Sequence, residues 1–267
     1  RLAAYRRRDE VPRERLPAAL AAVSAALRER VREPYGLPPG EQVEYRVVDD
    51  APWSALQQHR GGLRSRVSVN AGARPRAGQL ALLVAHEAYP GHHTEQCVAQ
   101  VGPAGRPERT VFLVNSPQSV VIEGLADLGL ATAVGPGWGP WSAEVLAGAG
   151  VRTDGGLAER VDDVTAPLAR VRQDAALMLH AHGADQAEVR AFLRRWLLVD
   201  DDRAGRILRF LAHPLWRAYT TTYVEGAPLL RAWLGRPGRE TAVQRHRRLL
   251  EEPVPPSALR VAGPAAA

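Results

Sequence analysis

Residues 86–93 concentrate side chains that could bind a metal ion and activate water. His86-Glu87 directly follows an apolar run, and His92 and His93 come a few residues later, so that three of the eight histidines lie beside one carboxylate. Neutral imidazole is a favoured zinc ligand, and a glutamate next to a ligating histidine is the usual base for a metal-bound water. The segment therefore predicts a catalytic zinc (Zn²⁺) site with Glu87 as the general base.

The spacing of these histidines differs from the pattern in which two histidines four residues apart share one helical face. On an unbroken helix His92 would point about 240° around from His86, and His93 would lie about 10 Å further along the axis. Pro90-Gly91 is where the helix is least regular, because proline removes a backbone donor and glycine allows unusual dihedral angles. If these two residues bulge out, His92 reaches the ligand position. We therefore predict His86 and His92 as ligands and His93 beside them, with His93 as the alternative second ligand.

The third ligand is expected to be a carboxylate on another helix. Ser116 can cap a helix, Pro117 suits its first turn, and an apolar stripe follows. Glu123 lies inside this stripe, where an unpaired carboxylate is costly to bury. A bound metal removes that cost, so Glu123 is the predicted third ligand.

Two motifs carry a resemblance to a known family. His-Glu-Ala-Tyr-Pro-Gly-His-His at 86–93, followed by Glu-Gly-Leu-Ala at 123–126, resembles the DUF885 proteins, a group described as zinc hydrolases with a gluzincin-like helical fold related to the M32 and M3 metallopeptidases. The family pattern is roughly His-Glu-x-x-Pro-Gly-His, then Glu-Gly-Trp-Ala, and Leu125 stands where the family usually has tryptophan. The resemblance implies His86, His92 and Glu123 as zinc ligands and Glu87 as base. It extends more weakly over residues 65–259 and corresponds to the C-terminal half of longer proteins.

Later segments extend this resemblance to further site residues. Residues 213–226 resemble a late family element with Tyr-x-x-Gly, and gluzincins commonly use a tyrosine or histidine from such a helix to donate a hydrogen bond to the oxyanion. On that basis Tyr223 is the first candidate and Tyr219 the second; the alternative is that both tyrosines anchor a buried helix. His180 stands where the family carries a histidine that faces the site, but the accompanying Asp and Gly are absent. The alternative for His180 is complementing a helix dipole.

The chain around the site is expected to be mainly α-helical. Apolar spacing predicts helices over residues 13–32, 76–100, 117–133, 157–182, 185–198, 203–212, 214–234 and 239–250. Alternating residues at 44–48 and 65–70 predict a small antiparallel sheet in the N-terminal third, with a polar loop at 57–62 between the strands. The fold class is therefore mainly α, a gluzincin-like helical metallopeptidase fold, without the alternation that a parallel βαβ sheet needs.

The second predicted strand precedes the metal helix and is a candidate edge for pairing with a substrate backbone, with Asn70 as a substrate-binding residue. The alternative is a hairpin that only packs on the helices. Residues 1–75 are expected to form a helix and sheet subregion, 76–260 the helical catalytic region and 261–267 a tail. Together they are expected to form one continuous domain, part of a longer architecture.

Composition limits the remaining classes of function. The chain of 267 residues has 45% hydrophobic residues and no apolar stretch long enough to predict a membrane span. Its net charge of +6 comes from arginines interleaved with acidic residues, which favours a solvated surface over nucleic-acid binding. A single cysteine excludes an intrachain disulfide. No signal peptide is visible, which predicts a cytoplasmic location, although the N-terminus reads as the middle of a longer chain. Oligomeric state is left open.

The predicted function is zinc-dependent hydrolysis, with a peptide or a small amide as the substrate. One alternative is hydrolysis of a non-peptide amide or ester by the same residues, which substrate profiling would distinguish. The other is a non-catalytic helical protein that binds peptides. The intact Glu87 argues against this second alternative, because a site that has lost its activity does not need its base.

Overall fold

The computed structural model describes residues 2–51, 53–101 and 113–260. The fold is mainly α with a small sheet in the N-terminal third, which confirms the predicted class. The strands are β1 (Gln42–Val48), β2 (Ala55–Gly61) and β3 (Arg64–Asn70), and the helices are α1 (Leu2–Arg8), α2 (Leu16–Arg32), α3 (Ala77–Glu87), α4 (His92–Val101), α5 (Pro117–Ala133), α6 (Trp138–Gly148), α7 (Gly155–Thr165), α8 (Arg170–His180), α9 (Gln186–Trp196), α10 (Asp201–Ala212), α11 (Thr220–Leu234) and α12 (Ala242–Glu251). The predicted tail at 261–267 lies outside the described residues.

The sheet is mixed, with strand order β1-β3-β2. β2 runs antiparallel to β3, but β1 runs parallel to β3. The two strands predicted as an antiparallel pair, at 44–48 and 65–70, therefore lie in β1 and β3 and are parallel. β2 occupies the stretch that we predicted as a polar loop. Several of its side chains are exposed, so its sequence lacks the apolar alternation that identifies a half-buried strand.

The predicted apolar stripe of the first long helix is buried. Leu16, Leu20, Val23, Leu27 and Val31 of α2 are all 0% exposed and pack in one cluster with residues of β3, α3, α5 and α11. This cluster includes residues on both sides of position 75, where the sequence suggested a boundary between subregions. A second apolar cluster joins α8, α9 and α10.

Two segments that were each predicted as one helix, the first with a bulge at Pro90-Gly91, are divided into separate helices in the structure. The first ends at Glu87 and resumes at His92, with Ala88–Gly91 turning sharply between α3 and α4. A β-carbon on Gly91 would overlap the carbonyl oxygen of His86, so only glycine fits this turn. The second predicted helix is divided into α7 and α8 by a 3₁₀ turn, Ala166–Ala169, that contains Pro167, because proline cannot continue the α-helical hydrogen bonding.

Helix α5 is bounded as predicted, by an N-terminal cap at Ser116 whose hydroxyl accepts a hydrogen bond from the Ser119 amide. Within the described residues no single helix is both long and apolar enough to cross a membrane. Helices α5 and α6 pass that test only as a pair, and they are bent by 82° relative to each other.

Helices α5 and α11 approach each other through two glycines. A β-carbon on Gly226 would lie 2.5 Å from the Val120 carbonyl oxygen, and one on Gly124 would lie 2.6 Å from the Gly226 carbonyl carbon. Both distances are too short for packed atoms, so the two backbones can be this close only because both residues lack side chains. This contact sets the distance between Glu123 on one helix and Tyr223 on the other.

We expect Gly226→Ala to push α5 and α11 apart and to reduce the free energy of unfolding by about 1–3 kcal/mol, the usual cost of overpacking. The measurement is urea unfolding followed by circular dichroism. Gly148→Ala is the matched control, because its new β-carbon would have no neighbour within 4 Å. A Gly226→Ala protein as stable as the Gly148→Ala protein would contradict this account of the contact.

Candidate metal centre

Three side chains converge on one point at the break between α3 and α4. His86 lies in the last turn of α3, His92 begins α4, and Glu123 reaches them from α5. The Nε2 atom of His86 lies 3.2 Å from Nε2 of His92 and 3.2 Å from Oε2 of Glu123. Nε2 of His92 lies 3.5 Å from Oε1 of Glu123. The structure therefore brings together the three residues that the sequence predicted as ligands.

The separations of these atoms are close to those between ligands of one ion. Ligand atoms that each lie about 2.0–2.2 Å from a tetrahedral zinc ion are about 3.3–3.6 Å apart. The two Nε2 atoms are 3.2 Å apart, and one carboxylate oxygen of Glu123 lies 3.2 Å from His86 while the other lies 3.5 Å from His92. Both oxygens of the carboxylate therefore face the two imidazoles. The set of two imidazoles and one carboxylate is also one that catalytic zinc sites use, with a fourth position left open.

The hydrogen bonds around the cluster orient these donors. Nδ1 of His86 lies 2.9 Å from Oδ1 of Asp127 and donates to it, which leaves the Nε2 lone pair directed at the centre. The Tyr219 hydroxyl donates to Oε1 of Glu123 at 2.7 Å. Oε2 of Glu123 is buried and has no hydrogen-bond partner among the described residues. A buried, unpartnered carboxylate oxygen is costly, and a cation at the centre satisfies it.

The electrostatics of the cluster favour positive charge at the centre. Burial lowers the pKa of His86, but the nearby carboxylates of Asp127 and Glu123 outweigh burial and hold this pKa well above its usual value. Burial raises the pKa of Glu123, but His92, His86 and the Tyr219 hydroxyl bring it down to about 2. The two Nε2 atoms lie too close for both rings to carry a proton there. A metal ion supplies the positive charge without that conflict.

Glu87 lies next to these donors but is not one of them. Its side chain is buried and lines the same cavity as His86 and His92. Burial raises the pKa of Glu87, His86 and His92 lower it, Glu123 raises it, and a hydrogen bond from the Gln57 backbone amide lowers it, with a net upward shift. A carboxylate with a raised pKa in a cavity is suited to accept and return a proton.

The two tyrosines predicted from the late helix reach the site in different ways. The Tyr219 hydroxyl donates its hydrogen bond to Glu123, so it orients one of the three converging side chains. The ring of Tyr223 lies 6.2 Å from the His86 ring, centroid to centroid. No hydrogen bond of the Tyr223 hydroxyl is found in the part of the chain that the structure describes. Tyr223 lines the cavity, so its hydroxyl can donate to a bound group.

His93 lies outside this centre, although the sequence placed it beside the ligands or at the substrate, with the alternative that it is the second ligand. The side chain is 0% exposed, Nδ1 lies 2.8 Å from the Ser65 hydroxyl, and Nε2 lies 2.7 Å from Oε2 of Glu41. Glu41 also accepts from the Tyr89 hydroxyl at 2.6 Å and from Arg28. This buried network anchors the turn and the start of α4. His93 therefore helps to position the neighbouring His92 but does not reach the candidate centre.

Two further predicted site residues have structural roles. Nε2 of His180 donates to the Leu211 carbonyl at 2.8 Å, and His180 lines neither cavity at the site, so the structure does not bring it to the other predicted catalytic residues. Asn70 donates to the Ala51 and Trp53 carbonyls and accepts from the Gly72 amide. Its side chain holds a loop and is 2% exposed. It also lies on β3, the central strand, which has no free edge for a substrate.

The edge strand beside the centre is β2. Ala55, Leu56 and Gln57 of β2 line a cavity of about 360 Å³ together with His86, Glu87, His92, Glu123 and Tyr223. β2 pairs with β3 on one side, and the Gln57 amide on the other side reaches Glu87. The free edge of the sheet therefore faces the candidate centre.

Sequence reasoning missed Asp127 and Glu41. Asp127 follows Glu123 by four residues, the spacing that places two side chains on one helical face, and this signal could have identified it. Glu41 lies far from the motif in sequence and directly precedes a strand, and no local pattern links it to His93.

Comparisons with known proteins add information on the fold. No protein-family model and no curated protein matches the chain. The chain is similar to a solved structure described as "the putative lipoprotein from Colwellia psychrerythraea", with a TM-score of 0.59 and 18% sequence identity. The match covers 92% of this chain and 41% of that one, so the chain spans less than half of that protein. At this identity the likeness shows the fold alone. The resemblance to the DUF885 family stays a prediction.

We expect Asp127→Asn to raise the zinc dissociation constant about 10- to 100-fold, because the amide no longer fixes the His86 ring with a charged acceptor. Competition against a chromophoric chelator measures this constant. Asp163→Asn is the control, since it removes an exposed carboxylate that contacts none of the three donors. Equal zinc affinity in the two variants would show that Asp127 does not orient His86.

Proposed function

We propose that this chain is a zinc-dependent hydrolase that cleaves peptide bonds. The observation that carries the proposal is the convergence of His86, His92 and the unpartnered Glu123 oxygen on one point, with Glu87 beside them in a cavity. This is the donor set and the neighbouring base that metal-assisted hydrolysis of an amide requires.

His86, His92 and Glu123 would hold the ion, with Asp127 and Tyr219 orienting two of these ligands. A zinc ion in such a site polarises a carbonyl group and lowers the pKa of water to near neutrality. The buried surroundings strengthen both effects, because charges interact more strongly away from bulk solvent.

Glu87 accepts the proton of the attacking water and then delivers it to the nitrogen of the leaving amine. Its raised pKa brings proton acceptance and donation closer in energy, which general acid–base catalysis needs. The Tyr223 hydroxyl donates a hydrogen bond to the oxygen that becomes negative as the carbonyl is attacked. Burial raises the pKa of Tyr223, and nearby Glu123 raises it further, so the hydroxyl stays protonated and remains a donor.

An extended peptide suits the surroundings of the centre. The free edge of β2 can pair with a substrate backbone in the strand-addition mode, which places one peptide bond beside Glu87 and leaves side chains to contact the cavity walls. The aromatic residues Trp53, Phe210 and Trp216 line the same cavity and provide apolar surface for those side chains.

We expect Glu87→Gln to keep its zinc and to lose activity about 10²- to 10⁴-fold, because the amide cannot accept the proton. The measurements are zinc content and turnover of a fluorogenic peptide library by zinc-loaded protein. Glu225→Gln is the matched control, since Glu225 is exposed and lies two residues from Tyr223. Hydrolysis by Glu87→Gln at the wild-type rate would contradict the proposed base. No hydrolysis of any library by zinc-loaded wild type would contradict the proposed function.

A further inference from the structure

A second, larger cavity adjoins the candidate centre. Its volume is about 1270 Å³, and His86, Glu87 and Tyr223 line both this cavity and the smaller one. Pockets for drug-sized ligands are typically about 300–1,000 Å³. The larger cavity therefore has room for a substantial part of a substrate whose reacting bond lies at the centre.

Arginine dominates the charged lining of this cavity. Seven arginines and four carboxylates line it. Four of the arginines come from three separate segments and form what we call the basic wall: Arg76 before α3, Arg172 on α8, and Arg203 and Arg206 on α10. Burial lowers the pKa of Arg172, whereas Tyr223 and Asp127, which line the same cavity, raise it.

The basic wall lacks the acidic partners that arginines of this protein have elsewhere. Within the described ranges, no carboxylate oxygen lies within the 4.0 Å ion-pair distance of any of its four guanidinium groups. By contrast, Arg74 of the same cavity pairs with Glu10 at 3.1 Å. The Nε atoms of Arg76 and Arg172 are buried without a hydrogen-bond partner. Arg76 is the buried member of the wall, at 8% exposed, and Asp9, Asp162 and Glu10 act on its charge without forming an ion pair with it. The other three members are partly exposed. Buried cations without an ion-pair partner are costly.

The members of the wall also repel one another. Burial lowers the pKa of Arg203, and Arg172, Arg76, Arg6 and Arg206 each lower it further, to about 10. Burial and Asp163 raise the pKa of Asp162 to about 6, whereas Arg76 lowers it, so this carboxylate of the lining keeps its charge at neutral pH but forms no ion pair with the wall. An anion between these guanidinium groups would relieve the repulsion and satisfy their free donors.

We propose that the basic wall binds a carboxylate group of the substrate and thereby positions the scissile bond at the metal centre. This inference rests on the proposed peptidase function. A carboxylate is the anion that peptides carry, and the planar guanidinium group matches it with two parallel hydrogen bonds. The carboxylate has two sources, the free C-terminus of a peptide and an aspartate or glutamate side chain.

Equilibrium binding of defined peptides tests the proposal and separates these sources. Zinc-loaded Glu87→Gln protein would be titrated by calorimetry with four N-acetylated alanine hexapeptides. One pair has a free C-terminus or a C-terminal amide. The other pair is amidated and carries glutamate or glutamine at the last position. We expect one acid form to bind about 10- to 100-fold more tightly than its amide. Tighter binding of the acid in the first pair shows that the basic wall binds the C-terminal carboxylate. Tighter binding of the acid in the second pair shows that it binds the glutamate side chain.

Variants of the wall attribute the preference to its arginines. Arg172→Gln and Arg203→Gln, each made in the Glu87→Gln protein, should reduce the acid-to-amide ratio to near one. Arg7→Gln, which removes an exposed arginine outside the cavity, should preserve it. Arg203→Lys should restore part of it, since lysine keeps the charge but not the planar fork. Replacing an arginine that its neighbours repel should not lower the thermal unfolding midpoint of the protein. Thermal denaturation of each variant checks this.

Equal affinity for acid and amide in both pairs would overturn the inference, as would no measurable binding of any of the four peptides. A ratio that survives in both glutamine variants would also overturn it. The proposed function fails separately, through absent hydrolysis by zinc-loaded wild-type protein. Acid-dependent binding without hydrolysis would support the carboxylate site and contradict only the proposed hydrolase function.

Discussion

The structure depends on a buried carboxylate held between two imidazoles. Glu123 is 4% exposed, and one of its oxygens has no hydrogen-bond partner among the described residues. An arrangement of this kind is stable only if positive charge occupies the point where His86, His92 and Glu123 meet. The surrounding elements serve that convergence. The turn at Ala88–Gly91 brings His92 back to His86, and the contact between Gly124 and Gly226 brings α11 with its two tyrosines onto α5.

A second layer of buried polar groups holds this convergence in place. Asp127 fixes the His86 ring, Tyr219 fixes the Glu123 carboxylate, and Glu41 binds both Tyr89 and His93 behind the turn. Each of these contacts satisfies a polar group that would otherwise be buried without a partner. His86, His92 and Glu123 are therefore positioned by three separate parts of the chain, and the geometry does not depend on the turn alone.

The parts of this account that follow from local sequence could be predicted, and those that depend on distant contacts could not. The candidate site could be predicted from the residue types and the spacing of His86, His92 and Glu123. A glycine after a proline indicates where the helix breaks. The spacing does not show which way His93 points, because its orientation is set by hydrogen bonds to Glu41 and Ser65, which lie far from it in sequence. β2 was missed since a polar edge strand has no apolar alternation. Most of the basic wall was missed, because Arg172, Arg203 and Arg206 come from segments far from the motif and are indistinguishable in sequence from the many surface arginines.

The central claim is that His86, His92 and Glu123 form a zinc site. It is tested most directly by elemental analysis of purified protein dialysed against a small excess of zinc, beside His92→Ala and His180→Ala. The account predicts about one zinc ion per chain in the wild-type protein, retained in His180→Ala and lost in His92→Ala. No bound zinc in the wild-type protein, or zinc retained in full after His92→Ala, would contradict it.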